Sequence, residues 1–231
     1  MNVVYAITRN VYEWAVPSIK SLAEHNPKAR VFMLAEDETF PYDLPIDVQM
    51  INISNQTYFP DIATHRRQAF GGYINHLKLW YSKFLPVNKV IHLDIDTIIC
   101  DKLDGLWETD VKGKWFAAVP ESQTWYSPFG EKYYNMGVAL FNLVQIRKDK
   151  PQQEMTDFLM NTEQRFADQN AWNKFGSEQD KIANLDLRYN ESRVTGTTDN
   201  PAIVHYCSIP DWWKNKKMER REYLDAYRSE R

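Results

Sequence analysis

The sequence predicts an α/β fold: a mostly parallel sheet flanked by helices, followed by an aromatic and basic C-terminal tail. Three observations carry that prediction. Residues 2–35 run apolar strand, amphipathic helix, apolar strand, the βαβ order that normally builds a parallel sheet. Further short apolar runs rich in β-branched and aromatic residues recur along the chain. One of them, Val90-Ile91-His92-Leu93, ends in two carboxylates, Asp94 and Asp96, at the strand end where open α/β sheets place their ligands.

Taken in order, residues 2–8 (NVVYAIT) are the first strand. Residues 12–26 have helical spacing, with Trp14, Ile19, Leu22 and Ala23 on one stripe and Pro17 tolerable only in the first turn. Asn26-Pro27 stops this helix, and residues 29–35 (ARVFMLA) and 48–53 (VQMINI) are the next two strands. Residues 55–72 are polar, aromatic and irregular, a length uncommon in a loop unless it works as a lid or binding loop. Residues 73–84 predict an amphipathic helix leading into the carboxylate-bearing strand. Strands are then expected over 115–119 and 137–143, a helix over 152–166 and a last strand over 202–206. No internal repeat or low-complexity segment interrupts the pattern.

From Trp212 the character changes. Trp212-Trp213-Lys214-Asn215-Lys216-Lys217 is aromatic and basic, so the chain divides into a domain over 1–211 and a tail over 212–231. Basic residues beside tryptophan suit an anionic membrane surface or an acceptor. The competing reading is a solvated helix whose tryptophans pack back on the sheet. Glu219, Glu222, Asp225 and Glu230 dilute the positive face and favour it.

Composition narrows the function classes. With 28 basic against 31 acidic residues the net charge is −3, so no global basic field points to nucleic acid. The 8 Trp, 13 Tyr and 11 Phe suit a site that stacks flat or sugar rings, although core packing accounts for most of them. Cys100 and Cys207 form neither a disulfide framework nor a metal-ligand spacing, and are expected as buried free thiols of a reducing compartment. No basic leader precedes the first strand and no run reaches 18 apolar residues, so the expectation is a soluble cytoplasmic protein.

The motif with most chemistry is Asp94-Ile95-Asp96. Side chains at i and i+2 of a strand share a face, so the two carboxylates are expected to point the same way. Like charges on one face repel unless a cation lies between them. That suggests a divalent metal, and through it a phosphate-bearing ligand. The alternative is a strand-to-loop turn in which Asp96 caps the residues after it.

Six segments in order resemble the family 8 retaining glycosyltransferases, the glycogenin and lipopolysaccharide galactosyltransferase group, from the first strand to about Trp213. They are VVYAITRN (3–10), KVIHLDIDT (89–97), LDGLW (103–107), YNMGVALFNL (134–143), LDLRYN (185–190) and IVHY (203–206). Each is loose alone; the order is specific. The resemblance implies a GT-A-type, Rossmann-like mixed sheet and transfer of a hexose from a nucleotide sugar, UDP-linked in the family's manner, with retention of configuration.

Residue by residue, it implies that Ala6, Thr8 and Asn10 line the base and ribose, with Tyr12 stacking on the base. Thr8-Arg9 stands where relatives often carry acidic residues, which leaves base and donor preference open. Lys78 corresponds to a basic residue near the donor sugar and phosphates, with His76 as a lesser candidate. Asn135 and Gly137 would edge the sugar pocket. Asp168 would bind donor-sugar hydroxyls and Gln169 would lie beside the anomeric carbon, with Glu178-Gln179-Asp180 as a competing match for that segment. Asn170 replaces the acid expected next. Asp94, Asp96 and His205 would hold Mn²⁺ or Mg²⁺.

One departure is sharp. Six residues beyond the histidine, relatives carry a lysine that holds the diphosphate, and here that residue is Asp211. Lys214 or Lys216 would have to substitute. The expected function is thus metal-dependent hexosyl transfer from a nucleotide sugar to a glycan, lipid-linked or protein hydroxyl acceptor. The rivals are a degenerate sugar-nucleotide-binding module and a nucleotidyltransferase on a similar sheet. Against the last, residues 6–12 supply no glycine for a phosphate loop. Oligomeric state is open, and peripheral membrane contact through the tail is the remaining partner expectation.

Overall fold

A computed structural model describes residues 1–58, 72–122, 129, 132–162, 166–207, 209, 211–217 and 219–227. Most of the segment expected to act as a lid, including Arg66 and Arg67, lies outside the described residues. The opening is the expected βαβ unit. β1 (Asn2–Ala6) leads through a 3-10 turn (Arg9–Val11) into α1 (Tyr12–His25), and β2 (Arg30–Ala35) pairs parallel to β1. Pro17 is the sixth residue of α1, one turn deeper than expected, and forgoes only the single bond its missing N–H would make.

β3 (Val48–Asn52) and β4 (Lys89–Leu93) extend the sheet on either side of the β1–β2 pair, both in parallel. β5 (Thr97–Ile99), β6 (Phe116–Pro120), β7 (Tyr134–Asn142), β8 (Ile182–Asn184) and β9 (Ile203–His205) complete the strands. The large sheet has the order β3-β2-β1-β4-β7-β6-β8. β7 runs antiparallel to both β4 and β6, which makes the sheet mixed, while the other four pairings are parallel. β5 and β9 form a separate antiparallel pair.

The remaining helices are α2 (Tyr81–Phe84), α3 (Asp104–Glu108), α4 (Leu143–Asp149), α5 (Gln152–Asn161), α6 (Ala167–Glu178) and α7 (Arg221–Asp225). Two expectations about helices are corrected. The stretch expected as an amphipathic helix is a 3-10 helix (Gly72–Trp80) that leads into α2, and residues 76–80 are buried on every side. The helix expected over 152–166 ends at Asn161, where Thr162 turns extended and bonds back to the Phe158 carbonyl. The Asp168 segment then begins a helix of its own.

Strand alternation splits the core into two layers. Val3, Tyr5, Val31, Met33, Ile91 and Leu93 pack against Ala15, Ile19 and Leu22 of α1. Val4, Phe32, Leu34, Val90 and Phe141 face Leu77 and Leu79 and the apolar sides of α4, α5 and α6. A third cluster seats the tail: Trp212 and Leu224 pack on Ile98, Val204 and Tyr206, with Trp213 stacked on Trp14 at 3.9 Å between ring centroids. The tryptophans therefore pack back, while Lys214, Lys216 and Lys217 stay exposed. Cys100 and Cys207 are free and half-buried rather than fully buried. Among the described residues no helix is long and apolar enough to cross a membrane.

Phe141 is fully buried between Trp172, Phe116 and Tyr81, with ring centroids 5.2–6.0 Å away. Phe141→Ala should lower unfolding free energy by about 3–5 kcal/mol in urea titrations, since the cavity cannot fully collapse among aromatic neighbours.

Candidate metal and donor site

The site forms where the sheet's winding direction changes, between β1 and β4. Val4 pairs with His92, so, two residues on, Ala6 lies level with Asp94. Because β7 is antiparallel, its beginning (Asn135, Gly137) reaches the same edge as the ends of β1, β4 and β6.

Asp94 and Asp96 do not share one strand face as expected. β4 ends at Leu93, a turn occupies residues 95–96, and β5 begins at Thr97. Thr97 Oγ1 donates to the Asp94 carbonyl at 2.7 Å and closes that turn. The carboxylates are brought together by tertiary contact instead. Pairing of Thr97 with His205 across β5–β9 sets the imidazole beside both acids. His205 Nε2 lies 3.2 Å from Asp96 Oδ1 and 3.9 Å from Asp94 Oδ2. One ligand atom from each of the three residues lies within 4.8 Å of the others.

Each ligand is oriented from behind. Asp94 Oδ1 accepts from Lys78 Nζ at 3.0 Å and meets His92 Nε2 at 2.8 Å, which leaves Oδ2 turned toward His205. Burial opposes charge on Asp94, but the Lys78 ammonium and the His92 bond outweigh it and hold the carboxyl far below the usual range. Burial likewise pushes Lys78 down, and Asp94 and Asp168 more than reverse that, so its ammonium is held up. Lys78 Nζ also lies 3.5 Å from Asp168 Oδ2 and bridges the two acids. His92 is buried and its pKa falls to about 4, chiefly by desolvation with a further push from Lys78. It is therefore neutral, donating from Nε2 to Asp94 while Nδ1 accepts from the Tyr81 hydroxyl at 2.9 Å.

On the histidine side, Asn190 Nδ2 donates to Asn135 Oδ1 at 2.9 Å, so Asn190 Oδ1 faces His205 Nδ1, also at 2.9 Å. Nδ1 then carries a hydrogen, and Nε2 is the nitrogen turned toward the acids. That buried Nε2 has no hydrogen-bond partner among the described residues, the condition expected of a metal-ligating atom. Desolvation pulls the His205 pKa down, but Asp96 and Asp94 raise it on balance, so a cation held between these groups would replace a proton. One imidazole nitrogen and two carboxylate oxygens suit Mn²⁺, and Mg²⁺ less well.

The backbone of β7 is shaped to this site. Ala118 pairs with Ala139 but Val119 pairs with Asn135, so β7 bulges over residues 136–138. The bulge carries Gly137 against the ligands, where its carbonyl accepts from the Asp94 N–H at 2.7 Å. A Cβ there would lie 2.1 Å from His205 Cε1 and 2.9 Å from Asp94 Oδ2. Glycine is required for close approach, not for unusual φ.

Gln169 Oε1 accepts from the Met136 N–H at 3.0 Å, and its Nε2 donates to Glu121 Oε1 at 3.1 Å. Asn135 donates to the same Glu121 oxygen at 3.2 Å. Asp168 and Gln169 thus meet Lys78 and the bulge, whereas Glu178-Gln179-Asp180 lies at the far end of α6, with Asp180 on Lys114. Asn170 is buried against the Tyr133 hydroxyl. Thr8 bonds Asn10 in the exposed turn after β1. Tyr12 is buried beside Phe40 with its hydroxyl donated to Asp37, so its ring is engaged in the core rather than presented to a base. Lys214 is exposed over Trp213, and Asp211 adopts a left-handed turn (φ 48°) whose carbonyl accepts from the Lys214 and Asn215 N–H groups.

Sequence reading missed Glu121, His92, Tyr81 and Asn190 as parts of this network. Glu121 was findable: it follows the apolar strand FAAVP, the same criterion that singled out Asp94. Burial raises its pKa against the two amide donors.

The model of glycosyl transferase family 8 matches residues 2–216. The chain belongs to that family. Among curated relatives, glycosyltransferase GlyA of Streptococcus pneumoniae is 23% identical over 227 residues, covering 92% of this chain and 32% of its own. A putative glycosyltransferase of Haemophilus influenzae is 20% identical, covering 94% and 74%. The chain thus spans about a third of GlyA and about three quarters of the Haemophilus relative. The galactosyltransferase LgtC, solved with donor and acceptor sugar analogues, superposes with a TM-score of 0.74 at 20% identity, covering 100% of this chain and 98% of that one. An active-site mutant of LgtC gives 0.78 at 18% identity, covering 98% and 95%. The fold is therefore the GT-A type that the family resemblance implied.

Two outcomes test the site. Gly137→Ala should weaken Mn²⁺ binding at least about tenfold in electron paramagnetic resonance titrations, because the added Cβ displaces His205 or Asp94. His92 supplies a pH dependence. The unfolded chain takes up this proton near 6.5 and the folded chain only near 4, so the unfolded state binds more protons in that window. Stability is lost as pH falls, by up to about 1.4 kcal/mol per unit. His92→Gln keeps a donor for Asp94 without titrating, and should flatten the pH dependence of urea midpoints between pH 6.5 and 4 relative to the parent.

Proposed function

We propose that this chain is a metal-dependent glycosyltransferase that moves a hexose from a nucleotide sugar, UDP-linked by family preference, to a hydroxyl acceptor with retention of configuration. The observation that carries the reading is the convergence of Asp94, Asp96 and the unpartnered His205 Nε2 on one point, with Gly137 closing over them. Family membership and the LgtC donor and acceptor analogues support a sugar donor and a sugar acceptor.

A bound divalent cation would supply Lewis-acid stabilisation of the departing diphosphate. The chain's own residues do the rest. Lys78, held charged between Asp94 and Asp168, adds a fixed positive charge beside the phosphates and costs no reorganisation during reaction. Asp168, half-neutralised by Lys78, accepts from donor-sugar hydroxyls. The Gln169 amide is locked by Met136 and Glu121, so it can border the anomeric carbon in one orientation. Asn135 is locked likewise and edges the sugar pocket. Among the described residues no side chain is placed as an evident covalent nucleophile, so attack by the acceptor on the face the diphosphate leaves is the natural route to retention. Ala6, Thr8 and Asn10 would border the nucleoside.

Asp211 favours a second reading, a sugar-nucleotide-binding module without transfer, because a carboxylate cannot hold the leaving diphosphate as the family's lysine does. Lys214, three residues on in the same turn, is the available substitute.

Incubation with UDP-sugars and Mn²⁺, with release of UDP as the read-out, separates the readings: turnover supports the transferase, and tight binding without UDP supports the module. Asp96→Asn should lower turnover at least about 100-fold, the loss of several kcal/mol of charge stabilisation. Full metal-dependent turnover in that variant would sink the mechanism.

A further inference from the structure

Asn190 and Glu191 stand between the metal-site histidine and the C-terminal tail. The pair grips His205 twice. Asn190 Oδ1 meets the ring Nδ1 at 2.9 Å, and the Glu191 carbonyl accepts the His205 backbone N–H at 2.8 Å. The Glu191 side chain, 2% exposed, is turned to the tail. It accepts from Arg220 Nε at 2.7 Å, from Arg220 Nη2 at 3.4 Å and from the Thr198 N–H at 2.8 Å. A buried carboxylate stripped of its guanidinium is strongly unfavourable, so Arg220 decides whether Glu191 can stay where it is.

Arg220 is itself tied to the chain on both sides of β9. Its carbonyl accepts the Tyr206 hydroxyl at 2.6 Å, and its Nη2 also donates to the Thr198 carbonyl at 2.8 Å. It holds a left-handed backbone (φ 59°), a conformation disfavoured for arginine and sustained by those contacts. Tyr206 follows His205 directly. Its N–H donates to the Asp96 carbonyl at 2.8 Å, and its ring stacks on Trp212 of the tail. The tail is thus bonded to Tyr206, the chain neighbour of His205, and Tyr206 in turn holds the Asp96 carbonyl.

We propose that tail docking and metal binding are coupled through Arg220 and Glu191. Arg220 and Asn190 then act as positioning residues for His205. The inference rests on the metal-site reading above. Coupling is reciprocal: a docked tail raises metal affinity, and bound metal stabilises the docked tail by the same factor.

An endoproteinase that cuts after lysine tests this on the full chain. Its tail sites, Lys214, Lys216 and Lys217, are exposed, and cleavage is read at these three by mass spectrometry, because Arg220→Lys adds a further site at position 220. In the parent protein, Mn²⁺ should slow cleavage at these sites several-fold. Arg220→Ala should speed cleavage, lower Mn²⁺ affinity about tenfold in paramagnetic resonance titrations and abolish the protection by metal. Arg220→Lys, which retains a positive charge beside the buried Glu191, should show the same changes at smaller amplitude. Asn190→Ala should lower Mn²⁺ affinity about tenfold while metal-free tail cleavage stays at the parent rate. Parent-like Mn²⁺ affinity in both Arg220 variants overturns the proposal, as does tail cleavage in the parent that ignores bound Mn²⁺. If the parent binds no Mn²⁺ in the first titration, the metal-site reading itself fails and the coupling falls with it.

Discussion

The arrangement depends on how this protein holds three carboxylates together in one cleft. Asp94, Asp96 and Asp168 meet at the edge of the sheet, and mutual repulsion opposes that unless cations lie among them. Lys78 is the resident cation, buried on a 3-10 helix and shared by Asp94 and Asp168. It neutralises one oxygen of Asp94 and leaves the other facing Asp96 and His205. One half of the cleft is thus closed by Lys78, and the other gathers Asp94 Oδ2, Asp96 and His205 within reach of one ion.

That division requires direction, and direction comes from the layer behind. His92, neutral because it is buried, can only donate to Asp94, with Tyr81 fixing its tautomer. Asn190, fixed by Asn135, orients His205 in the same manner. The two imidazoles act differently: His92 gives a hydrogen to Asp94, while His205 turns Nε2 into the space between Asp94 and Asp96. The bulge over residues 136–138 joins both halves, since Asn135, Met136 and Gly137 contact the His205 side, Gln169 and Asp94 respectively.

The Asp211 departure gains meaning in this setting. The tail does not follow the family's lysine pattern at that point, yet it is tightly joined to the core through Trp212, Trp213 and Arg220. Its basic residues are held at the surface by a packed aromatic base, which places cations in a defined turn instead of on a free end.

Much of this was legible in the sequence. Apolar runs with period two and a helix stripe with period 3.6 are local consequences of backbone geometry, so the βαβ opening, the carboxylate strand and the family order could be read directly. Asp94, Asp96, His205, Lys78, Asp168 and Gln169 stand out by motif order, and the structure gathers them at one sheet edge. What local pattern could not supply was how they meet. The two aspartates converge through a turn and a β5–β9 pairing more than 100 residues apart in the chain. Gly137 matters because of a bulge, and Tyr12, which reads as a ring for a base, is drawn into the core by Phe40 and Asp37. Asn190 and Glu191 carry no signature of their own, because orienting a ligand is a property of the neighbour that only folding brings within 3 Å. The sequence by itself determined which chemical groups are available and on which elements they ride. The tertiary structure alone decided which lone pairs and charges face one another, since long-range pairing and burial set direction and pKa.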